Sequence, residues 1–497
     1  MSTSLVWIAI ALYIAIGLGV ALYARRHLAA GAEEFYLGGR KITGLVSAAS
    51  YAATTYSTFM LLGLAGLTYK GGVGALGFEL VYFAGLGLVL VFGPRFWLVG
   101  KRQGYITPSE MLGARYESRL LGGSVAILSC VFLIPYCAAQ LLGIGYLLAG
   151  VTDGGISFGV GILIAALLGA VWTLVAGLRS VAWTDALQAV LMLVSALLAL
   201  GFVIEALGGF GTFLERIEAE RGAWLAQPGP GLFSFWTFVA FTLPWFFFSL
   251  SNPQVSQRLF TVRDPKAMRT MIVGFLSFGL IFTLISILWG FAALLQLPDL
   301  GNPDLATPGL LATGAVPVWL AVLLIVGILA AAITTVDSIA LSLASMVGRD
   351  VYRAGRRDPG EAKELLVGKL VVLVMIAASA LFASLELQLI AVLAITASTG
   401  LMVTVPAIVG AFFWRRATRA GALASVFGGT ILVAWFKSAP FNEMVVARPF
   451  GLPDAVWIFA ATVALYVVVS WATQPPADRG RAFIDDLRGE LDRMKIW

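Results

Sequence analysis

The chain has one histidine, His27, among 497 residues, and only two cysteines, Cys130 and Cys137. A lone imidazole removes the His-based catalytic triad and any histidine-built metal centre, and with them most hydrolases and metalloenzymes. The cysteines stand seven apart in one apolar run, ~10 Å along a helix axis, which is too far for a disulfide. Charge is scarce too: 12% of residues are Asp, Glu, Lys or Arg, about half the share in soluble globular chains. In their place the chain has 60% hydrophobic residues, 55 glycines and a mean hydropathy of +0.92, so the apolar excess faces lipid. The net charge of +6 comes without a basic tract, which leaves no nucleic-acid partner and makes the basic residues topological markers.

Runs of ~20 apolar residues match the ~30 Å hydrocarbon thickness at 1.5 Å per residue. Thirteen are predicted, at 4–24, 43–69, 74–94, 120–149, 155–177, 181–204, 232–256, 270–297, 316–347, 367–385, 388–413, 420–436 and 455–474, and they are called spans one to thirteen below. Arg25 and Arg26 follow the first span and no charge precedes its core, which reads as an anchor with its N-terminus outside rather than a cleaved signal peptide. Alternate loops then lie inside, and the outside loops keep only Lys70, Arg216, Arg221, Lys437 and Arg448 of the 33 basic residues. The C-terminus falls inside, and the localisation is a multi-pass protein of the cell membrane. Phe483, Leu487, Leu491 and Met494 of the tail recur at helical spacing, as a surface amphipathic helix or C-terminal packing would require.

Interruptions of a membrane helix survive only where they line protein or water. Span two carries Ala52-Ala53-Thr54-Thr55-Tyr56-Ser57-Thr58-Phe59, and span seven carries Pro244 through Pro253, where each proline removes a helix hydrogen bond. The two lie five spans apart, as the first helices of two five-helix repeats do, and paired broken helices point to a transporter's midplane site. Thr and Ser bonded back to their own helices, with proline kinks, would be the purely structural alternative. On span nine, Ala331, Thr334, Thr335, Ser338, Ser342 and Ser345 share one face. Oxygen-rich and weakly charged, that face suits a hard cation such as Na⁺, though close helix packing selects small residues as well. Glu79, Asp185 and Asp337 stand in or near the apolar region, where a carboxylate costs at least ~2.5–3.5 kcal/mol, so each needs a partner, an ion or a proton.

With these features in place, the chain resembles the sodium:solute symporter family, the relatives of bacterial proline and sialic acid permeases and of sodium–glucose cotransporters. The resemblance covers roughly residues 5–470. It is carried by Glu34-Phe35-Tyr36-Leu37-Gly38-Gly39-Arg40, Gly63-Leu64-Ala65-Gly66, Thr107-Pro108-Ser109-Glu110 and the run from Ala176 to Gln188 around Trp183-Thr184-Asp185. Asn252-Pro253-Gln254 with Gln257-Arg258, and Ile328 to Ser338, complete the ordered set. It implies an all-α integral membrane protein with a LeuT-like five-plus-five inverted repeat. The parts would be an extra helix and loop (1–42), the two repeats (43–225 and 226–417), two further helices (418–474) and a tail (475–497).

The resemblance also implies site residues. The principal sodium site matches the carbonyls of Ala53, Tyr56 and Ala331 and the hydroxyls of Thr334 and Thr335. A second sodium site found in some members matches Thr55, Thr334, Asp185, Asp337 and Ser338. The solute pocket falls beside Phe59, Glu79, Tyr136, Trp245 and Ser249, with Thr54 offering a further hydroxyl. Thr55 stands where proline-type members carry an acid, and Phe59 and Met60 stand where sugar-type members carry polar side chains.

The function expected is sodium-coupled import of a small organic solute by alternating access, with Na⁺ as the bound ion and the bilayer as solvent; a monomer is possible and the oligomeric state stays open. One charge moving down 100 mV releases ~2.3 kcal/mol, enough to drive accumulation. The apolar lining favours an amino acid such as proline or a short monocarboxylate, because each unpaired sugar hydroxyl would cost ~1–3 kcal/mol. Proton coupling through Asp185 or Asp337 and a sugar or vitamin solute remain open. A channel lacks its pore loop or charged ring here, and an enzyme lacks its histidines and metal ligands.

Overall fold

The computed structural model describes residues 1–25, 31–355, 360–437, 449–474 and 478–494, and the side chains of 20–25, 175–180 and 478–482 fall outside that description. His27 and the Ala176–Ser180 part of the family run therefore lie outside what is described. Among the described residues the secondary structure is helical, apart from one isolated bridge between Ile42 and Val262. In hydrocarbon, a helix satisfies every backbone polar group within its own segment. Helix starts are written locally: Ser157, Ser234 and Asp264 accept the N–H of Val160, Thr237 and Ala267, filling donors that would otherwise be orphaned.

Nine helices among the described residues are long and apolar enough to cross a membrane, and they correspond to spans three, four, six and eight to thirteen. Thr3–Gly19 and Phe158–Leu174 are shorter apolar helices at spans one and five. Spans two and seven are the interrupted ones.

Spans five and six run through one helical stretch, Phe158–Ala206. Sixteen residues separate Trp172 from Gln188, ~24 Å on a straight helix. Both nevertheless touch Tyr13: the Trp172 ring stacks on it with centroids 5.8 Å apart, and the Gln188 amide donates to its hydroxyl at 2.9 Å. The stretch is therefore not one straight rod, and both parts of it lie against span nine, Gly169 beside Val336 and Met192 beside Gly327.

Span nine, Val318–Met346, is buried without interruption from Gly327 to Met346. A helix enclosed on every side sits at the centre of its bundle. Span ten, Glu361–Ala383, instead turns Leu366, Leu370, Val374 and Leu381 outward, as a helix facing lipid does.

Candidate functional site

Span two is helical over Gly44–Thr55 and stops at Tyr56, whose φ of −101° and ψ of 81° leave the helix. The Tyr56 N–H donates to the Ala52 carbonyl at 2.7 Å, and there the ladder ends. The chain resumes as a π-helix over Phe59–Leu64 and an α-helix over Ala65–Gly71. Tyr56 can seat its ring against span eight because Gly279 is a glycine, since a Cβ there would meet the tyrosine hydroxyl at 1.7 Å.

The Ala53 carbonyl, next in line after the ladder stops, meets span nine. Thr334 Oγ1 lies 3.3 Å from it and Thr335 Oγ1 3.5 Å, and both hydroxyls lie 3.0 Å from the Ala331 carbonyl. Four of the five oxygens expected at the principal sodium site thus converge, all buried. Tyr56, whose carbonyl is the fifth, ends the helix three residues beyond Ala53. Four oxygens this close, with two hydroxyls free to rotate, suit a small hard cation rather than a transition metal.

The second cluster differs from expectation. Asp185 accepts Ser50 Oγ at 2.7 Å and Arg258 Nη2 at 3.1 Å, and the same guanidinium bonds Ser50 and Ser338. Ser338 Oγ donates to the Thr334 carbonyl at 2.5 Å and lies 3.4 Å from Asp337 Oδ1. Thr55 Oγ1 is buried with no hydrogen-bond partner among the described residues. An arginine cation therefore stands among the residues that a second sodium ion would use. Arg258 also corrects the loop count of basic residues: it is only 5% exposed, not a solvated loop charge. A positive-inside count treats any arginine near a span end as loop, and the clue overlooked was its place five residues beyond Pro253 in a run flanked by Leu259 and Phe260.

Span seven breaks twice. Phe235–Phe246 ends at Phe247, Phe248–Ser251 makes one turn, and Asn252 with ψ of 110° separates it from Pro253–Ser256. Gly85 lets span three come close, because a Cβ there would lie 2.0 Å from the Phe246 carbonyl. Ser249 Oγ donates to the Gly85 carbonyl at 3.2 Å, so this hydroxyl pins the break to span three. Around the break the aromatic rings pack on one another: Trp245 lies 4.7 Å from Phe59, 4.6 Å from Tyr82 and 5.4 Å, stacked, from Phe248, and Tyr136 reaches Phe248 at 6.0 Å.

Glu79 is fully buried, with the Thr283 hydroxyl of span eight facing its carboxyl group. Thr54 departs from the pocket expected for it. Its hydroxyl bonds back to the Ser50 carbonyl at 3.0 Å and lies 3.1 Å from Ser338, on the ion side of span two. Sequence reasoning passed over Gln140, which is fully buried on span four and accepts the Thr58 hydroxyl just past the break. A lone glutamine in an apolar run was the available signal.

Residues 35–429 match the sodium:solute symporter family. The chain is 27% identical over 442 residues to the sodium/pantothenate symporter of Escherichia coli strain K12, covering 85% of this chain and 88% of that protein. It is 26% identical over 424 residues to the sodium/proline symporter of the same strain, covering 82% of each. Among solved structures, a substrate-bound, outward-open Na⁺-coupled sialic acid symporter superposes with a TM-score of 0.76 at 18% identity, over 95% of this chain and 98% of that one. Mhp1, a nucleobase-cation-symport-1 family transporter in a closed conformation, does so at 0.58 and 15% identity, over 91% and 98%. At these identities the likeness shows the fold, the LeuT-like helical transporter architecture.

Proposed function

We propose that this chain, which belongs to the sodium:solute symporter family, takes as its solute a small organic carboxylate, an amino acid such as proline or a short monocarboxylate. It is a sodium-coupled importer of a small organic solute, a multi-pass membrane protein and not an enzyme. The observation that carries the coupling is the convergence of the Ala53 and Ala331 carbonyls with the Thr334 and Thr335 hydroxyls within 3.0–3.5 Å, where one helix is broken against an intact one. An ion there ties span two to span nine, so its arrival and departure bias the movement of one against the other.

The solute reading rests on the ring cluster beside that site. Trp245, Phe59 and Phe248 supply apolar surface and few hydrogen bonds, which suits a short aliphatic body and leaves polyhydroxyl solutes unpaired. A carboxylate would meet the start of the half-helix after the span-two break, the positive end of its dipole. Proline and pantothenate, which the named E. coli relatives carry, both bear a carboxylate. Glu79 would take an N–H or hydroxyl of the bound solute. Arg258 already neutralises Asp185, so the coupling we propose uses one Na⁺ at the principal site, with the guanidinium in place of a second ion.

Proteoliposomes with an imposed Na⁺ gradient test this. Expected are accumulation above equilibrium, strong competition by a carboxylate solute and none by its methyl ester. Competition by hexoses alone would overturn the solute reading, and equal uptake with a Na⁺ or a K⁺ gradient would overturn the coupling.

A further inference from the structure

A groove of about 870 Å³ opens where the C-terminal helix Asp478–Met494 packs beneath spans three, eleven and thirteen. Four guanidinium groups line it, those of Arg95, Arg415, Arg416 and Arg488, together with the indoles of Trp414 and Trp471. The C-terminal helix is held there by apolar and ionic contacts: Ile484 and Leu487 are buried, Phe483 meets Phe412 at 6.1 Å, and Glu490 and Asp485 pair with Arg102 and Arg415. Of the four tail residues at helical spacing, Phe483, Leu487 and Leu491 face the transporter and Met494 is 36% exposed.

The internal bonds leave most of the groove's positive charge unanswered. Arg95 lies 4.7 Å over the Phe413 ring and, among the described residues, bonds only the Val91 carbonyl. Arg416 lies 4.7 Å over the Trp471 ring and donates to the Trp471 carbonyl at 3.0 Å, while its Nε is buried without a partner. Arg488 makes no hydrogen bond or ion pair among the described residues. Asp485 answers Arg415, and Asp492 is the one acid in the lining. The groove at the far end of span twelve is a useful contrast, because its cation Lys437 is already paired with Asp454 at 2.6 Å.

We propose that this arginine groove binds the phosphate headgroup of an acidic phospholipid. Guanidinium forks match phosphate oxygens, and basic pockets between membrane helices are a recurring way of holding anionic headgroups. The choice of lipid over a soluble phosphate rests on what borders the groove. Phe413 and Trp471 are 48% and 61% exposed, and Val91 and Val468, one turn from Arg95 and Trp471, also face outward. Tryptophan at the rim is the pattern of the interface, where headgroups sit, and the exposed apolar wall beside it gives acyl chains somewhere to lie. The bound lipid would join the C-terminal helix to spans three, eleven and thirteen.

The test is native mass spectrometry of the full chain equilibrated in detergent with equal amounts of phosphatidylglycerol and phosphatidylcholine. Phosphatidylglycerol is expected to stay bound preferentially. Arg488→Gln should weaken its retention about five-fold, the factor that corresponds to ~1 kcal/mol per basic residue at an anionic surface. Arg415→Gln/Arg416→Gln/Arg488→Gln should abolish the preference. Because Arg488 has no partner among the described residues, its variant reads the site even where the triple variant fails to fold. Unchanged retention in Arg488→Gln overturns the site. Displacement of phosphatidylglycerol by millimolar inorganic phosphate overturns the lipid in favour of a soluble anion.

Discussion

The two broken helices are alike in position and opposite in chemistry. Span two breaks after Thr55 and turns its freed carbonyl toward the hydroxyls of span nine. Span seven breaks at Phe247 and Asn252 and turns rings toward Phe59 and Tyr82. A backbone break alone is therefore not a site: its surroundings decide whether it presents oxygen to an ion or apolar surface to a solute. Arg258, just past the second break, reaches across to Ser50 on the first broken helix, so the two breaks share one charge.

Breaking that shared charge is expected to have the largest effect. Arg258→Met leaves the buried Asp185 carboxylate without its cation, a cost of about 3–5 kcal/mol, whereas Arg258→Met/Asp185→Leu should regain most of it. Thermal melts of the detergent-purified chain check this, and an Arg258→Met variant melting with the parent would sink the pair as a structural tie. Next come Thr334→Ala and Thr335→Ala, each removing a hydroxyl from a dehydrated ion. A hydrogen bond or ligand to a charged group is worth ~1.5–3 kcal/mol, so the sodium KM should rise at least ten-fold, while solute KM at saturating Na⁺ stays close to the parent value. An unchanged sodium KM in both would remove the ion from this place. Trp245→Phe should do the reverse at the second break, raising solute KM several-fold through ~1 kcal/mol of lost ring contact and leaving sodium KM alone. If both constants moved together, the division of labour between the breaks would fall.

A further effect expected is one of pH. Outside the spans, Asp304 Oδ2 accepts the Ile390 N–H at 2.9 Å at the start of span eleven. Three residues on, Thr307 bonds the Leu61 carbonyl of the π-helix beyond the first break. Burial pushes the Asp304 carboxyl up to about 7, against the pull of that backbone bond and of Lys70. A raised carboxyl pKa means that the folded chain holds its proton more tightly than the unfolded chain does. Its stabilising share is thus full below the unfolded value near ~3.9, falls as pH rises from there to about 7, and is flat above. Asp304→Asn should remove that decline, read as the difference in melting temperature between pH 5 and pH 8. A decline as steep in the variant as in the parent would clear Asp304 of it.

Composition, loop charge and 20-residue periodicity were enough to show a membrane protein with two interrupted helices and a hydroxyl face on a third, because lipid forces each segment to satisfy its own backbone and so writes the constraint locally. Contacts between segments are not written that way. Ser50, Asp185, Arg258 and Ser338 come from four separate stretches, and no local pattern distinguishes a buried arginine from a loop arginine until the partners that neutralise it are placed around it. The same holds for Thr54, whose hydroxyl would serve a pocket or an ion site equally well until its helix is rotated toward span nine. Gln140 needed Thr58 beside it, and the arginine groove needed the tail packed beneath spans eleven and thirteen. Which residues can line a membrane site is decided by the residue's own chemistry. Which of them meet depends on helix rotation and crossing, set by close packing over the whole bundle.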